Sequence, residues 1–491
     1  MNAPTTRALA AALLLSAGLA SAQDRPSEAD IFGQEPEAPK TTPAPRTPPA
    51  ETAPAGAPAA QRPAEGDVLS GASSETPSLK KDPLQIGGLL YLRALTEWQD
   101  GVPPSGWPLS APALVDGYLD TRPNDRVRGF LLARLQYDLS RARSDASTPT
   151  QIADLGSAGT AFLQTQNPRM LLDQLWIRFD VGRTVFVTAG KQHVKWGVGR
   201  FWNPTDYLHP VPKDPLALFD ARTGLTMVRV HVPWEKQGWN FYGVGFFDET
   251  QPVGTVGSVG GGARAEVVLG TAELGLDAVA QKGRDARFGV DLSAGIWDLD
   301  VHAEAALRRG SDVPLWRPRA SPDPSLGILG EYQAWQPTGF APQAVGGVTW
   351  SWRYSDEDAL MLGAEYFFNR NGYEDPRVYP VLLYQQFADG RAYFTPFYLG
   401  RHYAGLFLHL PRPGSWNDTT FILSTIGNLS DRTFLTRLDY TVLLLTYLQL
   451  EAYAAVRYGK LGGEFRMGFD VQGVHVPAPV LDLGVALRVS L

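Results

Sequence analysis

The chain contains no cysteine, which excludes disulfides, thiolate metal centres and a cysteine nucleophile. After the N-terminal leader it has no run of about 18 or more apolar residues, so no helix is predicted to span a bilayer. Histidine is scarce: seven are scattered at His193, His209, His231, His302, His402, His409 and His475, with no H-E-x-x-H and no paired ligand spacing. A G-x-S-x-G elbow is missing, and the glycine-rich stretch from Gly254 to Gly262 lacks the lysine and following helix of a phosphate loop. Neither a metal nor another cofactor is therefore expected, and catalysis is disfavoured. Positive charge is not in excess either: a net charge of −7 does not supply the basic face of a nucleic-acid binder, so no nucleic-acid partner is expected.

What the chain does have is two-residue alternation, carried to its last residue. Leu481, Leu483, Val485, Leu487, Val489 and Leu491 share one parity, with Asp482, Ala486, Arg488 and Ser490 on the other. This pattern predicts a strand with an apolar and a polar face, as at the closing strand of a β-barrel.

The N-terminus sets the compartment. Residues 1–22 combine Arg7, an apolar stretch from Ala8 to Leu19 and the small-residue sequence Ala20-Ser21-Ala22, a secretory signal with cleavage expected before Gln23. Residues 23–83 are rich in Pro, Ala, Thr and Glu, with no aromatic after Phe32. Such a segment cannot bury a core and reads as a disordered periplasmic linker, one able to reach a periplasmic or cell-wall partner.

From Leu84 to Leu491 the strand pattern repeats. In Arg126 to Leu139, Val127, Leu131, Ala133, Leu135 and Tyr137 alternate with Arg128, Arg134, Gln136 and Asp138; Leu172 to Val181 repeats this, with Leu175, Ile177 and Phe179 against Gln174, Trp176, Arg178 and Asp180. Comparable segments are Ala263 to Gly270, Ala272 to Gln281, Leu299 to Arg308 and Thr446 to Arg457. A soluble sandwich shares such alternation, but segments of about ten residues match tilted membrane strands better than sandwich strands of about five or six. Tight connections at Gly182-Arg183, Gly270-Thr271 and Gly295-Ile296 alternate with long ones at Trp196 to Thr223, Arg309 to Gln343 and Asn369 to Gly400. Aromatics including Trp98, Tyr137, Trp239, Phe241, Tyr242, Trp350, Trp352, Tyr366, Phe367 and Phe368 are expected in interfacial girdles. The expected fold is all-β: a transmembrane antiparallel barrel of about 18 strands, with 16 the neighbouring even number. Its partners would be outer-membrane lipids and, through the apolar last strand, the barrel-insertion machinery.

A barrel that wide encloses a lumen, where function would lie. Arg128, Arg134, Arg178, Lys191, His193 and Lys195 are expected to line it as a basic cluster on N-terminal strands. Asp298, Asp300, His302, Glu304 and Arg308 make a mixed wall elsewhere, so a filter for small polar or anionic solutes is one outcome and mutual pairing of the charges another.

The segment from Gly190 to Asp206 stands apart: a strand ending at about Lys195, Gly197 and Gly199 permitting a sharp backbone path, and a loop ordered by Trp196, Trp202 and the Asn203-Pro204 turn. Gly190-Lys191-Gln192, Trp196-Gly197 and Asn203-Pro204-Thr205-Asp206 form a G-[KR]-Q-x3-W-G element leading into N-P-x-D. In this the chain resembles a broad group of porin-like, alginate-export-like outer-membrane barrels, most of them uncharacterised. The similarity extends loosely through Phe368-Asn369 and Asn428-Leu429-Ser430-Asp431 to Gly462-Gly463-Glu464-Phe465. The terminal Leu491 departs from the phenylalanine that ends many such barrels.

The resemblance implies an outer-membrane location and a channel or export role, without a substrate. The loop reads either as packed on the wall or as a constriction in which Lys191, His193, Lys195, Arg200 and Asp206 contact solute. Three functions follow: a channel for small hydrophilic solutes, a structural protein tethered by its Pro-rich arm, and a polysaccharide-export barrel, which would need an unbroken ladder of Arg and Lys.

Overall fold

The computed structural model describes residues 83–140, 167–209, 211–217, 222–247, 259–355, 358–471 and 474–491. The predicted signal and nearly all of the predicted linker lie outside them.

The main sheet joins 19 segments, one of which is only the two-residue Leu109–Ser110, leaving 18 full strands. The first six are β1 (Leu84–Gln99), β2 (Pro112–Asn124), β3 (Val127–Asp138), β4 (Arg169–Val181), β5 (Val185–Gln192) and β6 (Leu225–Trp234). The next six are β7 (Trp239–Phe247), β8 (Val259–Leu269), β9 (Ala272–Gln281), β10 (Arg284–Ile296), β11 (Leu299–Arg309) and β12 (Phe340–Arg353). The last six are β13 (Ala359–Asn369), β14 (His402–Pro411), β15 (Thr419–Asn428), β16 (Thr433–Leu445), β17 (Leu448–Gly459) and β18 (Pro479–Ser490). Each strand pairs antiparallel with its sequence neighbours, and β18 pairs with β1 from Leu89↔Ser490 to Gln99↔Pro479, closing the barrel. Closure leaves no sheet edge unpaired, the condition for strands to cross a membrane.

The alternation read from the sequence decides which way each side chain points. Leu175, Ile177, Phe179 and Val181 of β4 are exposed on the outside, as are Leu483, Val485 and Leu487 of β18. An outer surface so apolar is the lipid-facing band of a membrane-spanning barrel. At the short-turn end, Trp234 lies beside Trp239, Trp350 stacks on Trp352, and Trp297 projects from its turn, giving an aromatic belt. Two aromatics predicted for the girdles point inward instead. Tyr242 stacks on His231, and Phe367 is fully buried against Trp202.

Connections are short at one end and mostly long at the other, where only Lys282-Gly283 after β9 and residues 429–432 after β15 are tight. The turns at Gly182-Arg183 and Gly270-Thr271 fall where predicted. The one expected at Gly295-Ile296 does not: β10 continues through Ile296 and turns at Trp297-Asp298, Trp297 taking a positive φ of 55°. At the other end, the connection after β11 carries a short antiparallel pair, Leu315–Pro318 with Tyr332–Trp335, and the connection after β13 carries the helix α1 (Tyr379–Asp389). Tyr332, Val378, Tyr379, Val381, Leu382, Leu383, Phe394 and Leu399 bury together with Met467 from the connection after β17, forming a small apolar cap core.

Candidate functional site

The connection between β5 and β6 folds back against the inner wall. Val194, Trp196, Tyr207 and Leu208 pack on the inward side chains Met227, Val244, Phe246 and Val279. Farther along, Phe201 and Trp202 join Val345, Phe367, Tyr403 and Phe407 from β12, β13 and β14. Trp202 is 0% exposed, stacks on Phe367 with centroids 5.5 Å apart, and donates its indole N–H to the Phe397 carbonyl at 3.0 Å.

Backbone amides inside such a packed segment need acceptors. Two wall carboxylates supply them. The N–H groups of Val198 and Gly199 both donate to Glu304 Oε1 at 2.6 Å, and Thr205 Oγ1 donates to Glu304 Oε2 at 3.0 Å. The Arg200 N–H donates to Glu365 Oε2 at 2.7 Å, and those of Phe201 and Trp202 to Glu365 Oε1 at 3.0 and 2.9 Å. Five consecutive amides therefore end on two buried carboxylates, each charge solvated by main-chain dipoles in place of water. His302 Nε2 adds a contact of 2.9 Å to Glu365 across Gly347, the residue opposite both in the ladder.

The glycines of the element are explained by this clamp. Gly197 has φ +92°, and a Cβ there would lie 2.7 Å from both Glu304 carboxylate oxygens. A Cβ on Gly199 would lie 2.0 Å from the Trp202 carbonyl oxygen. Asn203 and Pro204 form the turn in which the Asp206 N–H donates to the Asn203 carbonyl at 3.1 Å.

The predicted lumen residues separate into several groups. Arg128 and Arg134 do point inward, but each meets an acid of β2: Arg128 Nε donates to Asp120 Oδ1 at 2.8 Å, and Arg134 Nη2 to Asp116 Oδ2 at 2.5 Å. Arg178 reaches Thr188 Oγ1 at 3.4 Å. The expected basic cluster is thus largely neutralised within the wall. The strand ends at Gln192, not about Lys195, and Lys191 is not on the inward face: it stands opposite Leu175, whose side chain is 47% exposed on the outside. His193 Nε2 lies 3.2 Å from Asp173 Oδ1, with its ring stacked on that of His209, and Lys195 follows half-buried on the same segment. Asp206 is ion-paired with Arg222 at 2.8 Å.

Arg200 differs from all of these. The residue is exposed, its guanidinium sits 3.8 Å over the Phe407 ring, and among the described residues it has no carboxylate within ion-pair distance. Lys213 Nζ donates to the Arg200 carbonyl at 2.8 Å, bringing a second cation to this part of the loop.

Sequence reasoning passed over Asp116, Asp120 and Glu365. The first two carried a signal, since Leu114, Asp116, Tyr118 and Asp120 share a parity on a strand that immediately precedes the one bearing Arg128 and Arg134.

The cap is tied to the inward loop through Phe397 and Tyr398, the latter donating its hydroxyl to the Lys213 carbonyl at 2.9 Å. Phe397 accepts from Trp202 and donates its N–H to Glu464, whose other oxygen accepts from Tyr403 Oη at 2.6 Å and Asn428 Nδ2 at 2.8 Å. Asp431 lies alongside and accepts the Glu464 N–H at 2.7 Å. Burial, and then the Asp431 carboxylate, push the Glu464 carboxyl up to about 8. A carboxyl raised in the folded state stabilises it fully below the unfolded value near 4.5, and that contribution is lost as pH rises through about 8. Amide protection factors in residues 394–400 and 460–467, with the base-catalysed intrinsic rate divided out, are accordingly expected to be lower at pH 9 than at pH 6, with Glu464→Gln removing most of the difference; equal protection at both pH values in the unmodified chain would contradict it.

No protein-family model and no curated protein matches the chain. Among solved structures it is similar to OccAB1 of Acinetobacter baumannii, at 10% identity and a TM-score of 0.48 over 84% of this chain and 97% of that one. It is also similar to OccK8 (OprE) of Pseudomonas aeruginosa, at 8% identity and a TM-score of 0.48 over 83% and 98% of the two chains. A triple-mutant porin of Rhodopseudomonas blastica aligns at 10% identity with a TM-score of 0.38, over 83% of this chain and all of that one. Likenesses at this level of identity concern the fold alone.

Proposed function

We propose that the chain is an outer-membrane, porin-like channel for diffusion of small hydrophilic solutes, with anionic ones preferred. The observation that carries this reading is the inward loop: a segment clamped to the wall by Glu304 and Glu365 that holds Arg200 exposed and, among the described residues, outside any ion pair. Barrels of 16–18 strands are wide enough to leave an aqueous path, and a constriction bearing fixed charge selects solutes by size and sign. Lys195 lies on the same loop and contributes to its positive side, whereas His193 is held against Asp173. Arg128, Arg134 and Asp206 act in this reading as wall and loop supports, because their charges are already matched by Asp120, Asp116 and Arg222.

The test is the reversal potential of the full chain in planar bilayers under a salt gradient. An anion-selective current is expected, with Arg200→Gln moving the reversal potential toward the cation side and Lys191→Gln leaving it in place. Absence of any steady conductance would overturn the channel reading, and an unmoved reversal potential in Arg200→Gln would remove that residue from the filter.

A further inference from the structure

On the outer surface of the barrel, the long-loop end of β15, β16 and β17 differs from the apolar band below it. Asn428, Thr433 and Gly459 stand level there, and residues 429–432 make the tight turn from β15 to β16. Arg432 continues the outward parity of Phe434 and Thr436, and Lys460 that of Val456 and Tyr458. The Lys460 N–H donates to the Arg432 carbonyl at 3.2 Å, so the two cations stand side by side on adjacent strands, both exposed. Like charges placed opposite each other work against the pairing of their strands. Arg432 in addition holds a φ of 63°. Among the described residues neither cation has a carboxylate within ion-pair distance. The nearby acids are engaged elsewhere. Asp431 turns inward and accepts from Thr433 Oγ1 at 2.6 Å and from the Glu464 N–H at 2.7 Å. Glu374 pairs with Arg401, and Asp375, close enough to Lys460 to feel its charge, is bound by Arg377 at 2.9 Å.

Directly below the cations, Phe434 stands opposite Tyr458, their rings stacked with centroids 5.4 Å apart. Under this pair a chain of hydroxyls crosses three strands on the lipid-facing side. Tyr458 Oη lies 3.2 Å from Thr436 Oγ1, which lies 3.0 Å from Thr425 Oγ1. Leu423, Leu438 and Val456 surround it, all exposed to lipid. Three hydroxyls bring three protons to two links, so one O–H is always left over. Among the described residues none accepts it, and in lipid no water is at hand to do so.

We infer that this patch binds the headgroup of an outer-leaflet lipid that carries a phosphate monoester. Long loops mark the end of such a barrel that faces away from the cell. Arg432 and Lys460 hold the phosphate, and the spare hydroxyl proton goes to an acyl ester or amide carbonyl beneath it. Two adjacent cations without an acid match a monoester, which carries nearly two negative charges at neutral pH, better than a diester with one. Phe434 and Tyr458 lie between these two contacts, at the depth where aromatic rings meet headgroups. The acyl chains continue over Leu423, Leu438 and Val456, on the band already in contact with lipid. The patch is outside the lumen, so it acts whatever the barrel conducts.

The full chain in detergent micelles provides the test, with bound lipid read by native mass spectrometry. Dioleoyl phosphatidic acid supplies the monoester, and dioleoyl phosphatidylglycerol a diester on the same chains. Phosphatidic acid is expected to bind about tenfold more tightly. Arg432→Asn with Lys460→Gln should bring it down to the level of phosphatidylglycerol; asparagine tolerates the positive φ, so the turn is kept. Thr436→Val, which leaves the charge unchanged, should weaken both lipids several-fold. Lys282→Gln removes an exposed cation from the tight turn after β9, at the same end of the barrel, and should change nothing. The inference is overturned if the two lipids bind equally, if the double variant keeps the preference, or if Lys282→Gln lowers it as much, the marks of unspecific attraction to a cationic rim. Displacement of phosphatidic acid by inorganic phosphate would show a site for the free anion and overturn the lipid assignment. Undiminished affinity in Thr436→Val would overturn the hydroxyl contact.

Discussion

Glu365→Ala is expected to undock the inward loop while leaving the barrel closed. The substitution removes the acceptor of three consecutive amides, those of Arg200, Phe201 and Trp202. A buried donor left without a partner costs about 1–3 kcal/mol, so the three together shift loop docking by roughly 3 kcal/mol or more. Since every 1.4 kcal/mol is about a factor of ten, the docking equilibrium constant falls by about a hundredfold. Trp202, now fully buried, should become wet and its emission should shift to the red. Single-channel current should become larger and noisier as the constriction moves. Glu365→Gln keeps one acceptor oxygen and is expected to have a smaller effect. Unchanged emission and conductance in Glu365→Ala would show that the aromatic contacts of Trp202 suffice to hold the loop.

The second large effect is expected at Arg134, for a different reason. Arg134 and Asp116 form a bidentate pair, with distances of 2.8 and 2.5 Å, and both are 2% exposed. Removing one partner of such a pair strands the other charge and costs about 3–5 kcal/mol. Arg134→Gln should therefore lower the unfolding midpoint in micelles substantially. The double variant Asp116→Asn with Arg134→Gln should recover much of the loss, because Asp116 is then no longer a stranded charge and only the attraction between Arg134 and Asp173 stays lost. Reversal potential in the double variant should stay where it was, which separates a wall support from a filter residue. A double variant as unstable as Arg134→Gln alone, or one with altered selectivity, would place Arg134 in the solute path.

The contrast between these two sites follows what the sequence makes legible. Alternation on one strand is local, so the inward parity of Arg128, Arg134, Arg178 and Glu304 could be read directly, and with it the barrel and its strand count. The Arg134–Asp116 pair was within reach for the same reason, lying on adjacent strands joined by a tight turn. Lys191 was also decidable. Val185, Val187 and Ala189 set the outward parity of β5, and Lys191 continues it; the alternate basic residues Lys191, His193 and Lys195 obscured this by suggesting a strand that extended beyond Gln192. The misplaced turn at Gly295 has a similar cause, since Gly295 is the natural turn residue but Trp297 accepts the positive φ. Tyr242 and Phe367 were misassigned because aromatic content marks girdles only on the outward parity.

The clamp itself could not be read in advance. Glu304 and Glu365 lie more than a hundred residues beyond the amides they hold, and no local pattern distinguishes an acid that accepts main-chain N–H groups from one that faces water. What the sequence did show was the other half of the arrangement, the glycines and tryptophans of the segment from Gly190 to Asp206.

Because the clamp grips main-chain amides, it places few demands on the side chains at positions 198 and 200. Those positions can be exchanged for residues of other charge or size while the same two carboxylates keep the backbone in place. The barrel thus separates the scaffold of its narrow passage from the chemistry displayed there, so a lineage, or an engineer, can retune what passes without redesigning how the passage is built.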